Sequence, residues 1–339
     1  MSSSGLLYRY GSLLKCRFEE RSNRFVCKIK RDQNPLEDVY CPNTGSMLNL
    51  VPTPAHPSRI CWVSTSATSS ARKYSKTLEL IEDCGAIVGI HSRLANDMVE
   101  SALHQGLIPE LSGFKELQRE VAVAAKGPYA KTSDKDSRTD FRLIWKETVP
   151  DLAESDDSQD KKDGVFFEKF AYKESGDRNL LKVSTDMLLE VKSVTLAVET
   201  DLPFGQRLAT FPDSISDRAS KHLRCLMDHK QKDPLINRSA VLFLIQRDDC
   251  NRFTPCPIDS VYTSLLQQAI LVGVEVFVYS VKIEPEDGTV QMLRTGTKIS
   301  FLQEPPKSLT ALFVPKVPSY KRTQQTISDE KHPAKIVRK

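Results

Sequence analysis

The chain has 339 residues, enough for two domains with a core each. Its 48 Lys and Arg against 44 Asp and Glu leave a formal charge of only +4, so bulk charge does not mark it as a nucleic-acid binder. No apolar run approaches the roughly 20 residues that cross a bilayer, and no secretory signal core is present. A soluble, non-membrane, intracellular protein is expected, cytoplasmic or nuclear with an organelle left open. The eight cysteines include no Cys-x-x-Cys pair, which argues against a structural zinc site and for reduced thiols.

The first unit, residues 1–92, reads as short strands with polar connections: 8–18, 24–30, 39–41, 59–65 and 86–91. Such a series suits a small barrel, of which the OB fold is the commonest form. Cys41-Pro42-Asn43-Thr44-Gly45 reads as a turn with exposed polar side chains. Arg72-Lys73-Tyr74 sets two cations beside an aromatic ring, a pairing suited to phosphates and a stacked base. Each stretch is also what an ordinary surface loop looks like.

The second unit, residues 93–304, opens with helices expected at 94–107 and 114–125, the latter carrying Glu120. The strand 138–145 follows, with Phe141, Leu143 and Trp145 on one face and Asp140, Arg142 and Ile144 on the other. Residues 150–185 start acidic and carry an aromatic patch at Phe166, Phe167, Phe170 and Tyr172; they read as a surface insertion. Leu188–Leu196 is a strand apolar on both faces, hence central, with Glu190 and Lys192 pointing the same way. A helix over 216–229 has Ser216 as N-cap and Ile215, Ala219, Leu223 and Leu226 as its buried stripe. Arg218, Lys221, His222 and Cys225 line a neighbouring face. A buried strand at 240–246, a helix at 258–272 closed by Gly273, and a strand at 274–283 complete the unit. Residues 305–339 are basic and aperiodic and read as a flexible tail.

A carboxylate and an ammonium on a covered strand cost free energy unless they pair, bind a metal or meet a ligand. Asp140 on one strand and Glu-x-Lys on the next, within this order of elements, match the PD-(D/E)xK nuclease pattern. The residue types suit the chemistry. A phosphodiester repels nucleophiles, and Mg²⁺ or Mn²⁺ takes hard oxygen ligands, here Asp140 and Glu190 with the Val191 carbonyl as a third. The metal polarises the phosphate and acidifies a bound water. Lys192 would orient that water and offset transition-state charge, and Glu120 would hold a metal-bound water or a second ion. Arg218, Lys221 and His222 would grip the phosphate backbone. The competing reading of the same residues is a cross-strand ion pair.

Several stretches resemble the sugar fermentation stimulation protein (SfsA) family. They are Cys41-Pro42-Asn43-Thr44-Gly45-Ser46-Met47, Ser64-Thr65-Ser66, Arg72-Lys73-Tyr74 with Thr77-Leu78-Glu79-Leu80, and Glu110-Leu111-Ser112-Gly113. Ser137-Arg138-Thr139-Asp140-Phe141, Glu190 to Leu196, Phe211-Pro212-Asp213, Lys221-His222-Leu223-Arg224 and Arg252-Phe253 follow in fixed order. The resemblance implies a mixed α/β chain: an N-terminal OB-like barrel, then a PD-(D/E)xK-like α/β/α domain. It implies DNA binding without sequence preference and, in bacterial members, a link to sugar (maltose) metabolism. The fold suggests nuclease activity, with Glu120, Asp140, Glu190 and Lys192 as the catalytic set and Asn43, Thr44, Arg72, Lys73, Tyr74, Arg218, Lys221 and His222 on nucleic acid. A non-cleaving DNA-binding regulator and an RNA-directed nuclease are the alternatives. His91-Ser92 stands where Asn-Thr is usual, and residues 126–136 and 150–185 are extra sequence around the site.

Overall fold

The computed structural model describes residues 5–65, 73–150, 180–199, 207–234, 236–292, 300–302 and 309. The chain begins with β1 (Leu6–Arg9), β2 (Leu13–Asn23), β3 (Val26–Lys30), β4 (Glu37–Tyr40), β5 (Arg59–Thr65), β6 (Lys76–Asp83) and β7 (Ala86–Gly89). Strands β2 to β7 form one sheet in the order β4-β3-β2-β5-β6-β7. A pairing of Tyr40 with Thr77 joins β4 to β6 and closes it into a barrel. Alternation puts Phe18, Cys27, Ile29, Val39, Cys61, Val63 and Leu78 inside, all buried. Strand β6 lies outside the strands expected from sequence: the charges of Lys76, Glu79, Glu82 and Asp83 mask its β character. Strand β1, within the first unit as read from sequence, pairs antiparallel with residues 289–291 of the second.

Next come α1 (Leu94–His104), β8 (Glu116–Val123), β9 (Ser137–Pro150), β10 (Leu180–Val194), β11 (Ala197–Val198), β12 (Arg207–Phe211) and α2 (Asp217–Lys232). The described elements end with β13 (Asn237–Ile245), β14 (Cys250–Pro255), α3 (Ser260–Val272), β15 (Glu275–Glu284), β16 (Thr289–Met292) and β17 (Ser300–Phe301). The large sheet runs β1-β16-β15-β13-β10-β9-β8. Its centre is parallel, with β10 beside β13 and β13 beside β15, and β9 flanks β10 antiparallel. Leu189 and Val191 pack in the core that α1 covers, and Leu188 and Val194 in the core that α2 and α3 cover. Strand β10 is therefore buried on both faces, as its sequence predicts.

Three expectations are corrected here. Residues 114–125 are no helix: Glu116–Val123 is an edge strand on β9, and Glu120 takes a left-handed φ of 52°. The insertion expected at 150–185 is shorter, because Leu180–Thr185 pairs with Trp145–Pro150 as the far end of the β9–β10 ladder. Its aromatic patch lies outside the described residues. Ile215 is 76 % exposed rather than part of the α2 stripe, since it precedes the N-cap. Ser216 does cap α2, its side chain accepting from the Ala219 N–H at 3.2 Å. Gly273 closes α3 with φ 98°. Leu309, inside the stretch read as a tail, is fully buried beside Leu196, Val198, Leu208 and Cys256.

Candidate active site at the end of the central strands

The β9–β10 ladder ends at the pair Phe141–Leu189, and Asp140 and Glu190 stand one step beyond it. Pairing stops there, and Asp140 accepts the Val191 N–H on Oδ2 at 2.7 Å. Its Oδ1 accepts from the side-chain amide of Asn96, on α1, at 2.8 Å. Thr139 is buried and donates to the Leu189 carbonyl at 3.2 Å, which fixes the strand end.

Glu190 is 3 % exposed. Lys192 Nζ lies 2.5 Å from its Oε1, and the His222 Nδ1 reaches the same oxygen from α2. Burial alone would raise the Glu190 carboxyl; Lys192 and His222 more than offset it and hold it below its ordinary value. Asp140 moves the other way. Burial raises its carboxyl first and the Glu190 charge second, against the pull of Lys192, Val191 and Asn96. Two acids at one spot thus titrate apart, the pattern that assigns different roles to paired carboxylates. A small crevice of about 10 Å³, room for one water, is lined by Arg138, Thr139, Glu190, His222 and Cys225 among others.

The structure brings Asp140, Glu190, Lys192 and His222 together. His222 is corrected from phosphate contact to a buried partner of Glu190; its place on the inner side of α2 decides this. Glu120 is exposed on the edge strand, in register between the pairs Arg119–Phe141 and Val121–Thr139. It does not come from a helix over the site. The helix that faces Asp140 is α1, and it offers Asn96, which sequence reasoning missed because a neutral amide on a helix carries no signal. Arg218 is exposed and Lys221 half-buried on α2.

The barrel loop 41–45 is a joint, which corrects its reading as exposed. Asn43 is buried; its Oδ1 accepts the Gly45 N–H at 2.8 Å and its carbonyl accepts from Arg21. The Met47 N–H donates to the Asp213 carboxylate at 2.8 Å and Ser46 Oγ to the Asp213 carbonyl at 2.6 Å. A Cβ on Gly45 would meet both Asp213 carboxylate oxygens at 2.8 Å, so a larger residue would push that carboxylate off the Met47 N–H. Thr44 alone of the pair is exposed. Lys73 is exposed with its Nζ 5.3 Å from the centroid of the half-buried Tyr74 ring; Arg72 lies outside the described residues.

Residues 20–90 match the family described as SfsA N-terminal OB domain, and residues 168–287 that described as Sugar fermentation stimulation protein RE domain. A sugar fermentation stimulation protein homolog of Shewanella sp. (strain MR-4) is 34 % identical over 279 residues, 82 % of this chain and 92 % of that protein. The chain belongs to the SfsA family. A second SfsA relative, from Shewanella sediminis, is 34 % identical over 80 % of this chain and 91 % of its own length. A solved SfsA structure, that of Pyrococcus furiosus in complex with Ca²⁺, matches with a TM-score of 0.61 at 21 % identity. It covers 88 % of this chain and 99 % of its own, and it shows that the SfsA fold is shared.

The donor set fits a hard divalent cation. Asp140 and Glu190 are close enough for one charge to raise the other's carboxyl, a repulsion that a cation relieves. Each carboxylate has lone pairs beyond those its protein partners use. Among the described residues no group of three or more His, Cys, Asp and Glu is placed to hold a metal ion; two carboxylates completed by water form a donor set of the kind Mg²⁺ or Mn²⁺ takes.

Proposed function

We propose that this chain binds nucleic acid, DNA first, without sequence preference, and hydrolyses phosphodiesters with Mg²⁺ or Mn²⁺ held by Asp140 and Glu190. The single supporting observation is the meeting of Asp140, Glu190 and Lys192 at the open end of β9 and β10. The Ca²⁺ named with the Pyrococcus relative agrees with a divalent-cation site of this kind.

Asp140 and Glu190 would hold the cation, which supplies charge neutralisation at the phosphate and a lowered pKa for water. Lys192 would offset charge at the scissile phosphate and direct the attacking water by donating to it. His222 steadies Glu190 from below. Asn96 and the Val191 N–H fix Asp140, so the two carboxylates need no rearrangement as the substrate arrives. Arg218, exposed on α2, and Thr44, exposed across the joint, would contact the backbone.

A non-cleaving DNA-binding regulator is the second reading. One observation favours it: Lys192 and His222 both already satisfy Glu190, which a static ion cluster also needs. Incubating the protein with single- and double-stranded DNA and RNA in Mg²⁺ or Mn²⁺, beside Lys192→Ala, separates the readings. Cleavage by the wild type and none by the variant supports the hydrolase. Salt-dependent binding with no cutting supports the regulator, and cutting confined to ribose strands moves the substrate to RNA.

A further inference from the structure

The connection from β8 to β9, residues 124–136, lies beside the active site and carries charge that the catalytic chemistry does not use. It springs from the final pair of the β8–β9 ladder, Val123 with Ser137. Both of those residues line the crevice that Arg138, Glu190 and His222 also line. The connection is built of two turns. The Ala130 N–H donates to the Gly127 carbonyl at 3.2 Å, and the Asp134 N–H to the Lys131 carbonyl at 2.9 Å. Helix α2 holds both turns: Asp228 accepts from the Tyr129 N–H, and Arg224 forks onto Asp134. Tyr129 also packs against the core under α2 and α3.

Charge is sorted across this segment. Its carboxylates are engaged, Asp134 by Arg224 and Asp136 by the Ala125 N–H at 3.3 Å. Lys126, Lys131 and Lys135 are exposed, and among the described residues none of them forms an ion pair. Arg138, also exposed, continues the series towards the site, for it stands two residues before Asp140 on the same face of β9, roughly 7 Å away along the strand. Half-buried Lys221 adds a cation one helical turn before Arg224. The whole chain has a formal charge of only +4, so this gathering of cations is local. It follows α2 away from the barrel joint, and Asp228 lies about 9 Å along the axis from His222, the length of roughly three base-pair steps. Crowded cations repel one another, and a polyanion laid across them relieves that repulsion.

We propose that residues 124–136, with Arg138 and Lys221, form a track for the phosphate backbone that flanks the scissile phosphate. This rests on the nucleic-acid reading above, and it adds the direction in which the substrate leaves the site: along α2, away from the barrel. The turns are already ordered, so less freedom is lost on binding than from a mobile loop. The contact is to phosphate, so it positions the strand and reads no sequence.

Fluorescence anisotropy across a range of salt concentrations tests this with labelled duplex DNA, single-stranded DNA and single-stranded RNA of equal length. One variant combines Lys126→Gln, Lys131→Gln and Lys135→Gln. A control combines Lys115→Gln, Lys146→Gln and Lys282→Gln, which removes the same charge elsewhere on the surface. All of these side chains are exposed, so both variants should fold, and circular dichroism checks this. The track variant is expected to lower the salt slope of log Kd by about two to three and to weaken binding on the order of tenfold or more near 0.1 M salt, and the control to lower the slope by less than about one. Loss on duplex alone, on single strands alone or on all three supports the track and assigns the source of the backbone. A slope unchanged from the wild type, or a loss no larger than the control's, overturns the track and leaves the nucleic-acid reading standing. No binding of any of the three polymers by the wild type overturns both.

Discussion

Glu190 is a residue whose surroundings were half visible in advance. The i, i+2 spacing of a strand put Lys192 beside it, and the structure agrees. His222 was visible as a residue but not as a partner, because the contact joins β10 to α2 across 32 positions. Removing Lys192 leaves a buried carboxylate with one cation partner fewer. Lys192→Ala should cost roughly 3 kcal/mol in urea unfolding, and an unchanged midpoint would show that the pair contributes nothing. The pH dependence has two opposed parts. Glu190, held below its ordinary 4.5, adds stability that is present above 4.5 and lost as pH falls through its lower folded value. Asp140, raised above 3.8, binds protons more readily folded than unfolded, so its contribution worsens as pH rises from 3.8 through its folded value. Asp140→Asn should therefore be more thermostable than the wild type at pH 7. That advantage should shrink below pH 3.8; a variant less stable than wild type at pH 7 would contradict the strained-acid picture.

At the scale of elements, sequence pattern served best where both the propensity and the partner agreed. Strand β10, its neighbour β13 and helix α2 are of that kind. It misled at β8. Phe114 to Ala125 is rich in Leu, Gln, Arg, Glu and Ala, strong helix formers, yet pairing with β9 turns the stretch into an edge strand. Glu120 went with it, from a helix over the site to an exposed position. The extra residues 126–136 form an ordered strap. Asp228 of α2 accepts the Tyr129 N–H at 2.7 Å, and a Cβ on Gly127 would come within 2.1 Å of the Asp228 carboxyl carbon. Arg224 grips Asp134 with bonds of 2.8 and 2.9 Å and holds its carboxyl down to about 2, so the grip persists at any pH above that value. Arg224→Ala should loosen the strap and speed trypsin cleavage at Lys126, Lys131 and Lys135, which are already exposed but held in an ordered backbone. Equal digestion rates for variant and wild type would show that Asp228 holds the strap without help.

Across the whole molecule, the barrel and the large sheet share more than a linker. Leu7, Tyr10, Trp62 and Leu80 sit in the same core as α1 and the central strands. Beneath them Asp83 of the barrel, 2 % exposed, meets Arg59 of the barrel and Arg207 and Arg247 of the second domain. Burial would raise its carboxyl, but the arginines bring it below the ordinary 3.8. None of this is legible in sequence: the three arginines lie 24, 124 and 164 positions from Asp83, and only the folded chain gathers them. Asp83→Ala leaves buried arginines short of a counter-charge, which costs about 3–5 kcal/mol. In calorimetry the variant should melt well below the wild type; an unshifted transition would show that the apolar core alone joins the domains.

Mn²⁺ diffused into crystals of the protein gives the most direct reading of the site, through its anomalous signal. The expected map has a peak about 2.2 Å from carboxylate oxygens of both Asp140 and Glu190, with Lys192 turned towards the open side. A map with no peak there, and Lys192 still bound to Glu190 at saturating Mn²⁺, would contradict the metal-dependent hydrolase and leave a buried ion cluster in its place.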